Sequence, residues 1–407
     1  LPPCPPDPAA ARRCGCGLAK VFWLFFSKKA QNFFFEKKKQ KTFGGLARAG
    51  GHGARAVRGR VFGLDLARAV AILLVLVGHD VSAVGDWTGH RAPMWVSLAG
   101  PFGVELFFAL SGLLIGGLLL ESVARGADWA GVGVFLVRRW MRTLPLYYLW
   151  LAVLLVVATP ARLGWHVLHY ATLTQNLWHG MPADDFFAVS WSLTVEEWFY
   201  LLFALLGLGG VIVTGRRWML PVMAVAFLVV PMALRWRVPD SADLINGLNQ
   251  VAMLRLGSIA EGVLLACVVR RWRVPAWLAL GLAPVGVYLI WLVWSFHFMV
   301  GAHVFRTFVM AVVGTGWLLC LPALLLWRQM GGVFGAAVRF VSQCSYGLYI
   351  VHYSLLTAAP AILPVAGAIV VGVGAPFLVA WGSWRWIEAP VLRRRPRHAR
   401  DAPPASV

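Results

Sequence analysis

The chain has 407 residues, 59% of them hydrophobic and only 13% charged, with a formal net charge of +20. Soluble domains average about 45–50% apolar and about 25% charged residues, so this composition excludes an ordinary soluble protein. The basic residues sit in the breaks between long apolar runs, a distribution that follows membrane topology and does not signal nucleic-acid binding.

In chain order, residues 1–60 stand apart. They combine LPPCPPDP, the apolar patch VFWLFF and KKAQNFFFEKKKQK before a Gly- and Arg-containing stretch. The patch is too short to cross a bilayer. A signal peptide would need a basic start, a longer apolar core and a cleavage site. The segment reads as a disordered, basic cytoplasmic leader or as an over-extended start, with the coherent pattern beginning near Val61.

Ten apolar stretches follow, near 63–83, 101–120, 143–159, 192–213, 217–235, 250–269, 276–296, 303–327, 340–360 and 364–386. A helix needs about 20 residues to cross the hydrocarbon core. In lipid the backbone polar groups have to be satisfied within the segment, which favours helices. The expected fold class is all-α: a polytopic membrane helix bundle of about ten transmembrane helices over 61–390, followed by a basic cytoplasmic tail at 391–407.

Basic clusters fall before the first stretch, at RRWMR (138–142), GRR (215–217) and RRWR (270–273), at Arg328 and Arg339, and at RRRPRHAR (393–400). These are alternate loops and both ends. The other loops hold Asp86, Asp184, Asp185, Asp240 and Asp243, with Arg235 and Arg237 as exceptions. The positive-inside rule then sets both termini in the cytoplasm. Cysteine carries no signal: Cys4, Cys14 and Cys16 lie in the leader, Cys267, Cys320 and Cys344 in or beside apolar stretches, without metal-ligand spacing. No metal is expected.

The first stretch, DLARAVAILLVLVGHD (65–80), holds Arg68 and His79 eleven residues apart. That is close to three turns and about 16 Å of rise, so both lie nearly on one face together with Asp65. Ionisable groups within a membrane are costly and mark functional sites by default. A snorkelling Arg68 and a His79 bonded to a neighbour would account for an isolated pair. On the inferred topology Arg68 sits toward the cytoplasm and His79 in the outer half.

The second stretch carries GVELFFALSGLLIGG (103–117). Gly112, Gly116 and Gly117 permit close helix approach. Ser111 lies in no GxSxG elbow and is read as packing, and Glu105 lies near the outer rim. RRWMRTLP (138–145) offers three arginines able to hold a phosphate-rich ligand through bidentate contacts, or only the ordinary basic loop of a membrane protein.

SWSLTVEEWFY (190–200) sets Glu196 and Glu197 just inside the outer boundary of the fourth stretch, at the depth expected for His79. One carboxylate is expected to turn inward while the other faces the interface. A carboxylate beside the imidazole would fix its tautomer and raise its basicity, suiting it to deprotonate a hydroxyl; a structural salt bridge is the alternative. Arg255 at the outer end of the sixth stretch, Glu261 deeper, and Tyr346, Tyr349 and His352 of SYGLYIVH (345–352) read singly as hydrogen-bonded bundle contacts.

Together, GLDLARAVAILLVLVGH, GVELFFALSGLLIG, RRWMRTLPLYY, TLTQNLW, SWSLTVEEWFY, MLRLGSIAEG, CSYGLYIVH and WRWIEAPVLRR, in this order from about 61 to 395, resemble the acyltransferase 3 family of polytopic inner-membrane acyltransferases. The resemblance implies transfer of an acyl group, often acetyl, from cytoplasmic acyl-coenzyme A to a hydroxyl. The acceptor would be extracytoplasmic or lipid-linked, a cell-envelope glycan or a small molecule, and the location the bacterial inner membrane. It places the R-x10-H element on Arg68 and His79, with His79 as general base or acyl relay and Arg68 as a catalytic residue steadying the donor or the thioester oxygen, and the essential glutamate block on Glu196 and Glu197. Coenzyme A phosphates fall to Arg138, Arg139 and Arg142. Asp80, Arg255, Tyr346 and His352 complete the set as candidate substrate-binding residues. Two departures stand out: Asp80 follows the histidine where small residues are usual, and Gly257 replaces an acidic residue after Arg255. The rival class is a transporter or exporter whose intramembrane Arg, His and Glu carry protons or bind substrate; the broken helices and inverted repeats that would favour it are not evident.

Overall fold

Uninterrupted apolar runs bounded by Gly, Pro and basic residues fold here as ten long helices, seen in a computed structural model that describes residues 60–396 except 91, 158–163, 165, 183–185 and 297–301. The expected leader up to residue 59, the tail beyond 396, and Asp184 and Asp185 lie outside the described residues. The helices are α1 (Phe62–Thr88), α2 (Ala99–Ala124), α3 (Trp129–Val157), α4 (Ala188–Thr214), α5 (Met219–Trp236), α6 (Ala252–Arg271), α7 (Ala276–Ser295), α8 (His303–Leu326), α9 (Gly332–Ala358) and α10 (Val365–Arg393). No strand occurs among the described residues. The chain is an all-α polytopic bundle.

Nine of these helices are long and apolar enough to cross a membrane. The tenth, α9, is 27 residues long, about 40 Å. It falls short on composition because it carries Arg339, Gln343, Tyr346, Tyr349 and His352. Its polar side chains Ser342, Ser345, Tyr349 and His352 are buried. α9 covers the stretch expected at 340–360 and turns its polar stripe into the protein, where partners exist, and not toward lipid.

Helix α2 is central, with 72% of its apolar window buried, whereas α7 at the rim has 17% buried and packs mainly on α8. The centre is held by backbone approach. A Cβ on Gly112 would lie 2.0 Å from the Ile259 carbonyl oxygen, and one on Gly262 would lie 2.4 Å from that of Ala109. The glycines expected to permit close approach therefore meet α6, and the missing side chains let α2 and α6 gain dispersion contacts that lipid cannot outcompete.

Between α3 and α4 the chain folds back into the bundle. Tyr170, Asn176 and Ser190 are fully buried there. Asn176 Nδ2 donates to the Trp191 (3.0 Å) and Gln250 (2.5 Å) carbonyls, and Trp198 Nε1 donates to the Leu173 carbonyl at 2.7 Å. These bonds hold Leu173 at φ 53°, a left-handed conformation costly for a leucine. This plug sits on the start of α4.

The charge pattern is also resolved. Residues 60 and 396 lie at one end of the bundle, since Arg142 interacts electrostatically with both Arg68 and Arg395. Arg235, an exception to the basic-loop pattern, is not a loop charge. It is buried, and its guanidinium donates to the carbonyls of Thr307 (3.0 Å) and Arg306 (2.8 Å) and to Asn249 Oδ1 (3.2 Å). It clamps α5 to the start of α8 and is shielded from the interface on which the positive-inside rule acts.

Substitution Gly262→Leu should push α6 off α2 and cost about 3 kcal/mol or more, seen as loss of the monodisperse peak in detergent after mild heating. Gly281→Leu, on the open face of α7, should leave that profile unchanged.

Candidate functional site

Polar groups buried among α1, α2, α3, α4 and α9 form a column that runs from the basic end toward the plug. At its base Asp65, 1% exposed, receives Arg60 Nε (2.5 Å), Ser342 Oγ (2.8 Å) and, more distantly, Arg68 (3.5 Å). Arg138, Arg139 and Arg142 from α3 and Arg395 beyond α10 gather at this end. Arg142 repels Arg68, Arg139 and Arg395 and is attracted by Glu388, while Arg139 is attracted by Glu196 and Glu197. Arg139 also lies over the Tyr200 ring, 5.2 Å from its centroid. Three arginines within one and a half turns are thus brought together with a fourth and a fifth from α1 and the chain's far end.

One level further in, both glutamates of α4 face the interior. Glu196 accepts from Ser111 Oγ of α2 at 2.7 Å and from Tyr200 OH. Glu197 accepts from Thr143 Oγ1 of α3 at 2.5 Å. Neighbours on a helix point about 100° apart, and here that angle directs the two carboxylates to different helices. The expectation that one would face the interface is therefore corrected. Tyr346 OH donates to the Thr143 carbonyl (2.5 Å), which sets α9 at the same level.

Above this, Ser192 and Tyr349 share a 2.6 Å hydrogen bond, and then come two histidines. His79 Nδ1 lies 2.9 Å from His352 Nε2, with ring centroids 5.1 Å apart and nearly parallel. Tyr353 meets His79 edge-on at 5.2 Å. The partners assign the tautomers. His352 Nδ1 sits 3.0 Å from the carbonyl oxygens of Leu348 and Tyr349, which only accept, so it carries the proton. In the neutral ring His352 Nε2 is then an acceptor, and His79 Nδ1 must donate to it. The lone pair of His79 is left on Nε2. Beside it is Gly100, on which even a Cβ would stand 3.9 Å away.

The expected contact between His79 and the glutamates does not form. His79 is bonded to His352, six residues along α9 from Tyr346, about 9 Å of rise, and it is Tyr346 that marks the level of Glu197. The plug explains the difference: α4 begins beneath buried chain, so counting residues from its start underestimates the depth of Glu196 and Glu197. His352, expected among the substrate-binding residues, is fully buried behind His79 and acts as its hydrogen-bond partner. Asp80 is half-buried beside His79 and makes no hydrogen bond among the described residues. Ser111 and Thr143 escaped sequence reading as carboxylate partners, because a hydroxyl in an apolar helix signals nothing until the helix opposite is known.

Arg255 lies elsewhere. It is 2% exposed, pairs with fully buried Glu105 on α2, and stacks near Phe108 and Trp191. Ser258 lies 3.5 Å from the same Glu105 oxygen, and Glu261 approaches it from α6. This second cluster joins α2 to α6 and touches none of the histidines. A buried ion pair holds its place because either charge alone would be stranded. Arg255→Ala should therefore lower unfolding stability by about 3–5 kcal/mol, and the double change Glu105→Leu with Arg255→Met should recover most of it, as read by thermal unfolding of the purified protein in detergent.

Compared with known families, residues 61–385, most of the chain, match the model described as an acyltransferase domain. The chain matches no curated protein and no solved structure.

Proposed function

The chain belongs to the acyltransferase 3 family and is a membrane acyltransferase, and on that premise we propose that it moves an acyl group, acetyl in the first instance, from acyl-coenzyme A to a hydroxyl, with His79 Nε2 as the base. The acceptor is an extracytoplasmic or lipid-linked molecule, a cell-envelope glycan foremost. The protein works in the bacterial inner membrane with its basic end in the cytoplasm, as its arginines at that end favour. The observation that carries this reading is the hydrogen-bond order Leu348 and Tyr349 carbonyls, His352, His79, which leaves an unprotonated nitrogen on the histidine nearest the open side of Gly100.

The donor's phosphates lie among Arg138, Arg139, Arg142 and Arg68, where guanidinium forks match phosphate oxygens. Arg68 stands about 16 Å along α1 from His79. It therefore serves the phosphate end of the donor and not the reacting carbonyl. The extended arm of coenzyme A covers a distance of that order, past Glu196 and Glu197. Those carboxylates balance Arg139 and are themselves held by Ser111, Tyr200 and Thr143.

At His79 the acceptor hydroxyl gives its proton to Nε2 as its oxygen attacks the thioester carbon. The new C–O bond forms, the C–S bond breaks, and the departing thiolate takes the proton back from Nε2. His352 keeps the His79 ring in the reactive tautomer throughout, the role that an orienting carboxylate plays in other acyl-transfer sites.

His79→Ala should lower acetyl transfer by about 10²–10⁴-fold, with the protein still folded. His352→Ala should lower kcat by between about tenfold and about 10⁴-fold with little change in KM for the donor. The measurement is release of free coenzyme A thiol from acetyl-coenzyme A by purified protein mixed with envelope extract. Full turnover by the His79 variant would overturn the assignment, and a transporter would release no thiol at all.

A further inference from the structure

Arg395 follows the last turn of α10, and its surroundings are unusual for a residue outside a helix. Its Nε and Nη2 atoms are shielded from solvent and have no hydrogen-bond partner among the described residues. Burial first, and then Arg142, Arg139 and Arg138, push its guanidinium down to about 9. Its position is not loose: Arg138 Nη1 donates to the Pro396 carbonyl at 2.8 Å, which ties this segment to α3.

Buried donors on a charged group are expensive to leave unmade. The carboxylates of this region do not make them. Asp65 is taken by Arg60, Arg68 and Ser342 and Glu196 by Ser111 and Tyr200, while Glu197 is bonded to Thr143 through one oxygen and keeps the other for none of these arginines. Glu388 has Ser383 at 3.5 Å and faces Arg142. Five like charges held together with two directed N–H groups unused call for an anion with several acceptor oxygens, supplied from outside the chain. A phosphate group presents that geometry to a guanidinium fork.

We propose that the segment 389–396 is a wall of the donor site, and that Arg395 binds a phosphate of the nucleotide half of acyl-coenzyme A opposite Arg138, Arg139 and Arg142. The proposal rests on the acyl-coenzyme A reading above and adds to it a ligand that none of the helix-borne motifs contains. Segment and nucleotide bind together: the donor's phosphates relieve the repulsion among the arginines, and the strap so held screens the phosphates from water.

The test titrates 3′,5′-ADP, the phosphate-bearing part of coenzyme A, into the full-length protein in phosphatidylcholine nanodiscs by calorimetry. Arg395→Gln should weaken binding about 10- to 100-fold, while Arg237→Gln, exposed just past α5 at the other end of the bundle, should leave it unchanged. Unchanged affinity in Arg395→Gln together with weakened affinity in Arg142→Gln would overturn this inference and leave the donor reading standing. Failure of the wild-type protein to bind 3′,5′-ADP would remove both. A parallel series in nanodiscs containing phosphatidylglycerol identifies the phosphate source. If the anionic lipid displaces 3′,5′-ADP from the wild-type protein but not from Arg395→Gln, the residue holds a lipid headgroup and the inference is overturned.

Discussion

A polar side chain inside a bundle bounded by lipid has to find its partner within the protein, because neither water nor hydrocarbon will serve. The architecture follows from that constraint. Helix α9 is too polar to be a plain apolar span, and its place against α1, α3 and α4 gives Ser342, Tyr346, Tyr349 and His352 partners in Asp65, Thr143, Ser192 and His79. Arg235 obeys the same rule at the other end by bonding four backbone or amide oxygens. The polar column is thus a structural necessity before it is a chemical site. Among the described residues of the column, partnering is incomplete at a lone pair of His79, at one oxygen of Glu197 and at two donors of Arg395.

The two clusters divide the work. Glu105 and Arg255 lock α2 to α6, where glycine lets the backbones touch. With that contact set, α2 presents Gly100 to His79 and Ser111 to Glu196 on its other faces. A rigid central helix of this kind holds the His79 nitrogen within narrow limits, as the proposed general-base role requires. The plug under the far end of α3 and α4 completes the frame, and the strain at Leu173 is held there by Trp198 and by its burial.

Much of this was legible in the chain itself. The apolar stretches predicted the helices, because a segment that must satisfy its own backbone in lipid has little alternative. The glycines at 112 and 116 announced a close contact through their spacing. The ordered blocks from GLDLARAVAILLVLVGH to WRWIEAPVLRR carried the family resemblance that the match over 61–385 bears out. His79 stood out because an imidazole within an apolar run needs a reason to be there.

The partners of these groups were decided only in three dimensions. His79 meets a histidine 273 residues away and not the glutamates expected for it. Arg255 serves a helix contact, and Arg395 arrives from beyond the last helix. Sequence determines which residues one helix carries and how they are spaced along it, since rise and turn per residue are fixed by backbone hydrogen bonding. How far one helix slides or rotates against another is set by side-chain packing, plugs and backbone contacts between distant segments. Those displacements, of a turn or two, decide which nitrogen faces which oxygen.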